Sequence, residues 1–341
     1  MRIFLTGNAG YFGSVVHEEL LAAGHEVTGC DAGFFDVERD ESAAWDVRDV
    51  TVEELRGHDA VVHLAGLSND AAGELSEEVT VEINQRASIR LAWLASKAGV
   101  ERFVFASSCS VYGAAAEPNL TEDGIVRPLT AYAHSKLWAE RAIVAFTANG
   151  LCPTALRFAT LYGPSPAFRN DLLVNRMTST AWRHGQVTVT GDGSAERPLL
   201  HVRDAASAIR ETLSADSAAV FGEVFNVGVP GANYSLRQVA DLVTARYPDV
   251  GVRFTGSPDR RSYTVCFDRF TDRVDGWRPQ RTVEDGVAEV AALLNRTAPF
   301  PRLGTRWGPG ERSSWLAGLI RENVLTDEFR WTGPLPAVAN L

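Results

Sequence analysis

Tyr132 and Lys136 are the side chains whose types and spacing point most directly to chemistry. They open a segment with helical periodicity, Tyr132-Ala-His-Ser-Lys136, and a separation of four residues places both on one face of a helix. A tyrosine hydroxyl is a poor base at neutral pH, and a neighbouring ammonium lowers its pKa by stabilising the phenolate. Lys136 is also one of only two lysines among 33 basic residues. The pair predicts a proton-accepting tyrosine supported by a lysine, with an accidental surface pair as the alternative.

A serine-rich segment offers a second group for the same chemistry. Ala106-Ser-Ser-Cys-Ser-Val-Tyr-Gly113 follows the apolar run Arg102–Ala106, which predicts a buried strand. A serine hydroxyl there could hydrogen-bond the substrate oxygen that the tyrosine deprotonates. The alternative is a serine-rich turn without a catalytic role.

The first thirty-one residues predict a binding site for a dinucleotide. Gly7, Gly10 and Gly13 lie between a predicted strand, Arg2–Thr6, and a predicted helix, Tyr11–Ala23. Glycines at this spacing allow a tight turn, close approach of the backbone to a pyrophosphate, and packing of helix on strand. The helix N-terminus then attracts the anion. A plain glycine turn is the alternative.

Asp31 ends the next apolar run, Glu26–Cys30, where its carboxylate can bind an adenosine ribose. The same charge repels the 2′-phosphate of NADP, so the sequence favours NAD as cofactor.

These residues require a particular arrangement of strands and helices. Apolar runs at Ala60–Leu64, Arg102–Ala106 and Pro153–Phe158 alternate with amphipathic stretches at Glu74–Ala98 and Tyr132–Asn149. The alternation predicts an α/β fold, a doubly wound parallel sheet of the Rossmann type, with ligands beyond the carboxyl ends of the strands. We expect polar residues to follow these strands: Asp46 after a third strand, Ala65-Gly66 after the fourth, and Ser107-Ser108 after the fifth.

After about Phe158 the regular alternation of strands and helices gives way to a turn-rich segment and short strand-like runs. This change predicts a smaller C-terminal α/β substrate lobe. We expect a dinucleotide-binding domain at 1–165, rejoined by 202–228, and a substrate lobe with a tail at 166–201 and 229–341. Within it, residues 171–184 are expected to be helical, and residues 235–246, 252–255 and 283–294 are expected to form the smaller α/β lobe. The tail from Thr297 to Leu341 is expected to pack irregularly on the body.

Composition excludes several classes of function. The 341 residues are 45% hydrophobic, enough for a large core, and the formal net charge of −10 argues against nucleic acid and anionic membranes as partners. No apolar run approaches the length of a membrane span, and Met1 leads directly into the first strand, so no signal peptide is expected. The four scattered cysteines favour a cytoplasmic location and no metal site.

The motifs resemble those of a known family. The segments Thr6–Gly13, Ser107–Gly113, Tyr132–Lys136, Leu156-Arg-Phe158 and Arg197–Asp204, in this order, resemble the extended short-chain dehydrogenase/reductases, specifically the NAD-dependent nucleotide-sugar epimerase/dehydratase group. The resemblance implies that Ser108, Tyr132 and Lys136 are catalytic. It implies a cofactor site for NAD formed by Gly7, Gly10, Tyr11, Phe12, Gly13, Asp31, Asp46, Val47, Leu64, Ala65, Gly66, Tyr132 and Lys136.

The same resemblance implies a nucleotide-diphosphate sugar as substrate. Its expected contacts are Ser108, Cys109, Asn175, Arg197 and Arg261, the two arginines gripping the diphosphate.

Two departures from the family pattern narrow the expected reaction. Cys109 and Ser110 stand where dehydratases and decarboxylases of the group carry acids, which argues against 4,6-dehydration and decarboxylation. Pro198, Leu199 and Thr160 also depart from the family's common residues, so the sugar is left open.

We therefore expect reversible NAD-dependent epimerisation of the sugar, at C4. The alternatives are a 4-ketoreductase, a dehydratase, or a dinucleotide-sensing regulator without catalysis. The resemblance also implies a homodimer formed through helices at Ile83–Ala98 and Leu137–Ala148.

Overall fold

A six-stranded parallel sheet forms the centre of the molecule. The computed structural model describes residues 1–35, 45–68, 73–114, 117–147, 150–256, 261–296 and 312–333. The strands of the sheet are β1 (Arg2–Thr6), β2 (Glu26–Cys30), β3 (Ala60–His63), β4 (Arg102–Ser108), β5 (Cys152–Phe158) and β9 (Glu223–Val227). Their spatial order is β2-β1-β3-β4-β5-β9, with every pair parallel. The order reverses between β1 and β3, the position at which ligands bind in doubly wound sheets.

Helices cover both faces of this sheet. They are α1 (Tyr11–Ala22), α2 (Val52–Leu55), α3 (Glu77–Val81), α4 (Ala87–Ala98), α5 (Ala131–Val144), α7 (Val202–Ser214) and α8 (Ser217–Val220). Alternate strand residues point to opposite faces, so Ile3 and Leu5 join one buried cluster with α1 and α7. Phe4 and Phe105 join another with α4 and α5. The predicted Rossmann architecture is confirmed.

A second group of elements forms smaller sheets beside the first. A three-stranded sheet contains β6 (Thr160–Tyr162), β8 (Glu196–His201) and β10 (Asn233–Ser235), and a two-stranded sheet contains β7 (Gln186–Val189) and β11 (Gly251–Phe254). The remaining helices are α6 (Leu173–His184), α9 (Leu236–Arg246), α10 (Asp268–Arg273), α11 (Val283–Arg296) and α12 (Arg312–Arg321). Val174, Val187, Val239 and Val287 bring α6, β7, α9 and α11 into one core.

Most of the predicted elements are present with boundaries shifted by a few residues. The helix predicted over 74–98 begins at Glu77, after the cap Ser76, and contains a π-helical turn at Glu82–Arg86. The helix predicted over 132–149 ends at Val144, and Ser107 and Ser108 are the last residues of β4 rather than the first beyond it. The strand expected before Asp46 falls at residues 36–44, outside the described ranges.

The C-terminal tail differs from the irregular packing expected of it. Residues 312–333, called here the C-terminal segment, begin with helix α12. Leu316 and Leu319 lie on one face of that helix and pack against Leu67, Val79 and Ile83 beside the first sheet. The segment was assigned from sequence to the substrate lobe, but it covers an edge of the dinucleotide-binding part of the molecule.

No helix in the described ranges combines the length and the apolar character that a membrane crossing demands.

Candidate functional site

A single large cavity collects nearly all of the predicted site residues. It has a volume of about 950 Å³ and lies at the carboxyl ends of β1 to β4, facing the smaller sheets. The predicted residues that line it are Gly7, Gly10, Tyr11, Phe12, Gly13, Asp31, Asp46, Val47, Leu64, Ala65, Gly66, Ser108, Tyr132, Lys136, Arg197 and Arg261. A pocket of this size, at the upper end of those that hold small molecules, has room for more than one ligand.

The glycine turn has the geometry that a pyrophosphate requires. Gly7 adopts φ +74°, and a Cβ built on Gly13 would lie 1.8 Å from the carbonyl oxygen of Gly7, so only glycine allows α1 to start so close to the turn. Gly10 caps α1 without a side chain, which leaves the first turn of the helix open to an anion. The turn therefore fits the cofactor that the sequence predicts.

Asp31 stands where a ribose is expected. Its carboxylate accepts hydrogen bonds from the amide of Ala9 at 3.1 Å and of Gly33 at 2.8 Å, which fix it between the glycine turn and the end of β2. Asp31 lines the cavity, which is the placement that a contact with ribose hydroxyls requires.

Asp46 is more heavily engaged than the sequence suggests. Both of its oxygens bind the Arg48 guanidinium, at 2.6 to 3.1 Å, and Arg330 of the C-terminal segment lies 3.3 Å away. The residue lines the cavity, but its carboxylate has little acceptor capacity left for a ligand.

The loop after β3 is held by two buried polar side chains. The amide of Asn84, in the π-helical turn, accepts from the backbone N–H of Leu67 at 2.8 Å and donates to its carbonyl at 3.0 Å. A Cβ on Gly66 would lie 2.9 Å from Asn84 Oδ1, so this glycine permits the contact. Thr6 Oγ1 accepts from Leu64 and Ala65, and the predicted cofactor loop is therefore rigid.

Lys136 reaches the cavity through a buried environment. Its Nζ donates to the carbonyl of Ala106 at 2.8 Å and lies 4.8 Å from the centre of the Phe105 ring. Burial lowers the pKa of Lys136 to about 8, so the group is still mainly an ammonium at neutral pH. Its other two protons are available to groups in the cavity.

Ser108 and Tyr132 lie in the same cavity, one at the end of β4 and the other in the first turn of α5. Ser108 Oγ accepts from the amide of Ser110 at 3.1 Å, which orients the hydroxyl and leaves its proton for another acceptor. Thr130 caps α5 by accepting from Ala133 at 3.2 Å, and this fixes the turn that carries Tyr132. The structure brings the three predicted catalytic residues to one cavity.

Arg197 and Arg261 meet at the other end of the cavity. Arg197, in β8, donates to the carbonyls of Glu196 and Arg261, and its guanidinium lies 5.5 Å from the centre of the Tyr263 ring. Both arginines line the cavity, together with the hydroxyl-bearing Thr188 and Thr190. Two cations beside hydroxyl groups form a suitable site for a diphosphate.

Two predicted substrate residues do not line the cavity. Cys109 is buried, and its thiol points to the carbonyl of Arg157 at 3.2 Å; burial raises the thiol pKa well above its ordinary value. Asn175 is also buried, and its amide accepts from the N–H of Gly163 and donates to the carbonyl of Arg169, both at 2.9 Å. In this structure Asn175 shapes a loop.

The structure adds cavity residues that the sequence did not single out. Arg169 binds Asp171 through two hydrogen bonds, at 2.6 and 3.0 Å, and donates to Ser68 Oγ at 2.9 Å. Ser110 lines the cavity with a buried hydroxyl that has no hydrogen-bond partner among the described residues. Arg312 enters from the C-terminal segment. With 31 arginines in the chain, no pattern in the sequence distinguishes Arg169 or Arg312 from surface charges.

Fold and site together define a Rossmann-type dinucleotide-binding protein. The pattern of the NAD dependent epimerase/dehydratase family matches residues 3–228, two-thirds of the chain. The chain therefore belongs to the NAD dependent epimerase/dehydratase family, as the sequence motifs predicted. The prediction of NAD as cofactor is confirmed at the level of the family.

Individual relatives agree with this assignment. The chain is 32% identical over 330 residues to a UDP-glucose 4-epimerase of Corynebacterium glutamicum, a match that covers 87% of this chain and 98% of that protein. It is 30% identical over 317 residues to a dTDP-glucose 4,6-dehydratase of Streptomyces griseus, covering 86% and 94%. The solved structure of MoeE5 in complex with UDP-glucuronic acid and NAD superimposes with a TM-score of 0.77 at 29% identity, covering 87% of this chain and all of that one.

Proposed function

We propose that the protein is an NAD-dependent epimerase that inverts C4 of a nucleotide-diphosphate sugar through a transient ketosugar. The observation that carries this proposal is the convergence of Ser108, Tyr132 and Lys136 in one cavity, combined with Cys109 and Ser110 at the two following positions. The three residues suit oxidation of a sugar hydroxyl, and the two positions lack the carboxyl groups that elimination of water would use.

The residues around the glycine turn would hold the cofactor. The turn and the N-terminus of α1 suit the pyrophosphate, and Asp31 suits the adenosine ribose. When bound, NAD⁺ supplies an acceptor for the hydride that the sugar carbon loses and later regains.

Proton transfer falls to the side chains of the chain itself. Tyr132, as phenolate, takes the proton of the C4 hydroxyl, and the ammonium of Lys136 stabilises that negative charge. The Ser108 hydroxyl donates to the same sugar oxygen and positions it. After the ketosugar has rotated in the site, Tyr132 returns the proton to the same oxygen in the second half of the reaction.

Anchoring at the far end of the cavity allows that rotation. Arg197 and Arg261 bind the diphosphate, so the sugar ring can present either face without leaving the site. The names of the relatives favour a UDP-linked hexose or hexuronic acid as the first substrates to test.

The deciding experiment incubates purified protein with UDP-glucose, UDP-galactose and UDP-glucuronic acid and resolves the products by NMR. We expect a mixture of C4 epimers without net consumption of NAD⁺ or NADH. Stoichiometric use of NADH would instead identify a 4-ketoreductase, and a 4-keto-6-deoxy product would identify a dehydratase. Binding of NAD without conversion of any sugar would identify a sensor.

Two variants test whether the activity depends on residues in the cavity. Tyr132→Phe removes the proton acceptor, and we expect the rate to fall at least a hundredfold. Tyr247→Phe removes a buried hydroxyl that has no partner among the described residues and lies outside the cavity, so its rate should stay within twofold. Equal activity of Tyr132→Phe and the unmodified protein would contradict the mechanism.

We also propose a cytoplasmic homodimer and, except for the C-terminal segment, the domain division expected from the sequence. The two longest helices on one face of the first sheet, α4 and α5, pack side by side and expose Trp93 and Trp138, which supports the predicted dimer face. Cys30, Cys109, Cys152 and Cys266 are free thiols, which agrees with a reducing compartment.

A further inference from the structure

The C-terminal segment contacts two stretches of chain beside the predicted adenosine end of the cofactor site. Trp315 Nε1 donates to the carbonyl of Phe34 at 2.8 Å, and Trp331 Nε1 donates to that of Ala32 at 2.7 Å, both directly after Asp31 in the chain. Arg330 contacts Asp46 and Asp49. The segment is therefore built onto the walls of the cavity by specific polar contacts as well as by apolar packing.

Arg48 and Phe34 also contact the end of the C-terminal segment, at residues 328–331. Arg48 donates to the carbonyls of Glu328 and Phe329, at 2.7 and 2.9 Å, while it holds Asp46. Phe34 lies 5.9 Å from Trp331 and 6.4 Å from Phe329 between ring centres. These contacts give the segment one defined position over the cavity.

Arg312 is the side chain that this segment places in the cavity. Its guanidinium lies 4.2 Å from the centre of the Phe35 ring, and the side chain lines the cavity while remaining partly exposed. Among the described residues, no carboxylate lies within ion-pair distance of it. A cation that lines a concave cavity without a close counter-ion attracts an anionic ligand.

The neighbours of Arg312 indicate which anion it meets. Tyr11, in the first turn of α1, Asp31, at the end of β2, and the pair Arg169–Asp171 all lie within electrostatic reach. Phe35, which carries the guanidinium, follows Asp31 by four residues. Asp31 accepts a hydrogen bond from Ala9 in the glycine turn, and this turn is the place where a dinucleotide presents its pyrophosphate.

The electrostatic surroundings of Arg312 agree with this position. Burial, and then the charge of Arg169, lower the pKa of Arg312 to about 9, far below the ordinary value for an arginine. The carboxylates of Asp171 and Asp31 act in the opposite direction but do not restore it.

We infer that the C-terminal segment is a cover for the cofactor and that Arg312 binds the pyrophosphate of NAD from the side opposite the glycine turn. Residues 312–333 lie beyond the 3–228 that match the family, so this cation is supplied by a part of the chain outside the family pattern. The inference concerns the cofactor alone and is independent of which sugar reaction takes place.

The test compares Arg312→Gln with Arg321→Gln, which removes an exposed arginine from the other end of the same helix. Calorimetry on nucleotide-free, full-length protein would measure the Kd of NAD⁺, ADP-ribose and adenosine. We expect Arg312→Gln to weaken the binding of NAD⁺ and of ADP-ribose by about tenfold to a hundredfold, which is the effect of losing a charge-assisted contact. The binding of adenosine should weaken by less than about twofold. Arg321→Gln should change none of the three.

Two outcomes of that experiment would overturn the inference. Unchanged binding of ADP-ribose would show that Arg312 does not contact the pyrophosphate. A loss confined to UDP, measured in parallel, would assign the guanidinium to the substrate.

A second measurement separates ligand binding from a structural role. In thermal unfolding without nucleotide, Arg312→Gln should have a nearly unchanged Tm, because the guanidinium is partly exposed and its ring contact with Phe35 contributes little. The rise in Tm on addition of NAD⁺ should be smaller than in the unmodified protein. A lower Tm in the absence of nucleotide would mean that Arg312 holds the segment in place, and the inference would be wrong.

Discussion

Lys136 is a buried cation, so the charge that the proposed reaction uses lowers the stability of the fold. The mechanism uses a positive charge beside the phenol, but the fold buries that charge with one carbonyl, of Ala106, as its hydrogen-bond partner in the structure. The pKa of Lys136 falls from 10.5 to about 8, a change that corresponds to roughly 3 kcal/mol of destabilisation when the group is charged. The charge is thus maintained at neutral pH at the expense of folding stability.

This cost predicts a pH-dependent effect of Lys136→Met. Between about pH 8 and 10.5 the unfolded chain binds more protons at this position than the folded one, so the lysine protein gains stability as pH rises through that window. Relative to Lys136→Met, we expect the unmodified protein to gain about 3 kcal/mol between pH 7 and pH 10.5 in urea unfolding.

The other lysine of the chain provides the control. Lys97 is exposed near the end of α4, and Lys97→Met should change the free energy of unfolding by a constant amount across the same pH range. A difference between the unmodified protein and Lys136→Met that does not vary with pH would contradict the prediction.

At the scale of elements, a buried ion pair joins β4, α5 and β5 behind the proposed catalytic residues. Arg157 donates to both carboxylate oxygens of Glu140, at 2.6 and 2.9 Å, and Ser107 Oγ donates to one of them at 2.6 Å. Arg157 also donates to the hydroxyl of Tyr112 at 2.9 Å. The network fixes α5, which carries Tyr132 and Lys136, against the strand that carries Ser108.

Glu140→Gln should therefore be strongly destabilising. It leaves the buried guanidinium of Arg157 without a counter-ion, and breaking such a pair costs about 3–5 kcal/mol. Chemical denaturation would measure the change. Glu82→Gln breaks the exposed pair with Arg86 and should cost no more than about 0.5 kcal/mol. A loss below about 1 kcal/mol for Glu140→Gln would show that the network contributes little.

Local elements were predictable because their signals are local. The glycine spacing, the apolar runs and the Tyr-Lys spacing each lie within a few residues, and the structure places β1, α1 and α5 close to their predicted ends. The π-helical turn at Glu82–Arg86 could not be predicted, since it accompanies the contact of Asn84 with a loop 17 residues earlier. Arg169 and Arg312 could not be assigned because contacts distant in sequence bring them to the cavity.

At the scale of the whole molecule, the surface of α4 and α5 is the proposed site of the subunit contact. Trp93 is 45% exposed and Trp138 is 52% exposed, on adjacent helices. Lys97 and Arg141 lie over their rings, at 6.0 and 5.6 Å, and shield them only in part. Large aromatic side chains on one face are typical of interfaces, and a two-fold axis would let each helix pair cover its counterpart.

The corresponding prediction concerns assembly. We expect the protein to sediment at twice its chain mass of 37.0 kDa, and the double variant Trp93→Glu, Trp138→Glu to sediment as a monomer because it buries two charges in the interface. Phe221→Glu, at an aromatic residue that is 46% exposed beyond α8, should remain dimeric. A monomeric unmodified protein would show that there is no subunit contact. A dimer that survives both substitutions would place the contact elsewhere. Since the catalytic helix α5 carries Trp138 on its outer face and Lys136 on its inner face, the monomeric variant would also reveal how far dimer formation holds the active site in position.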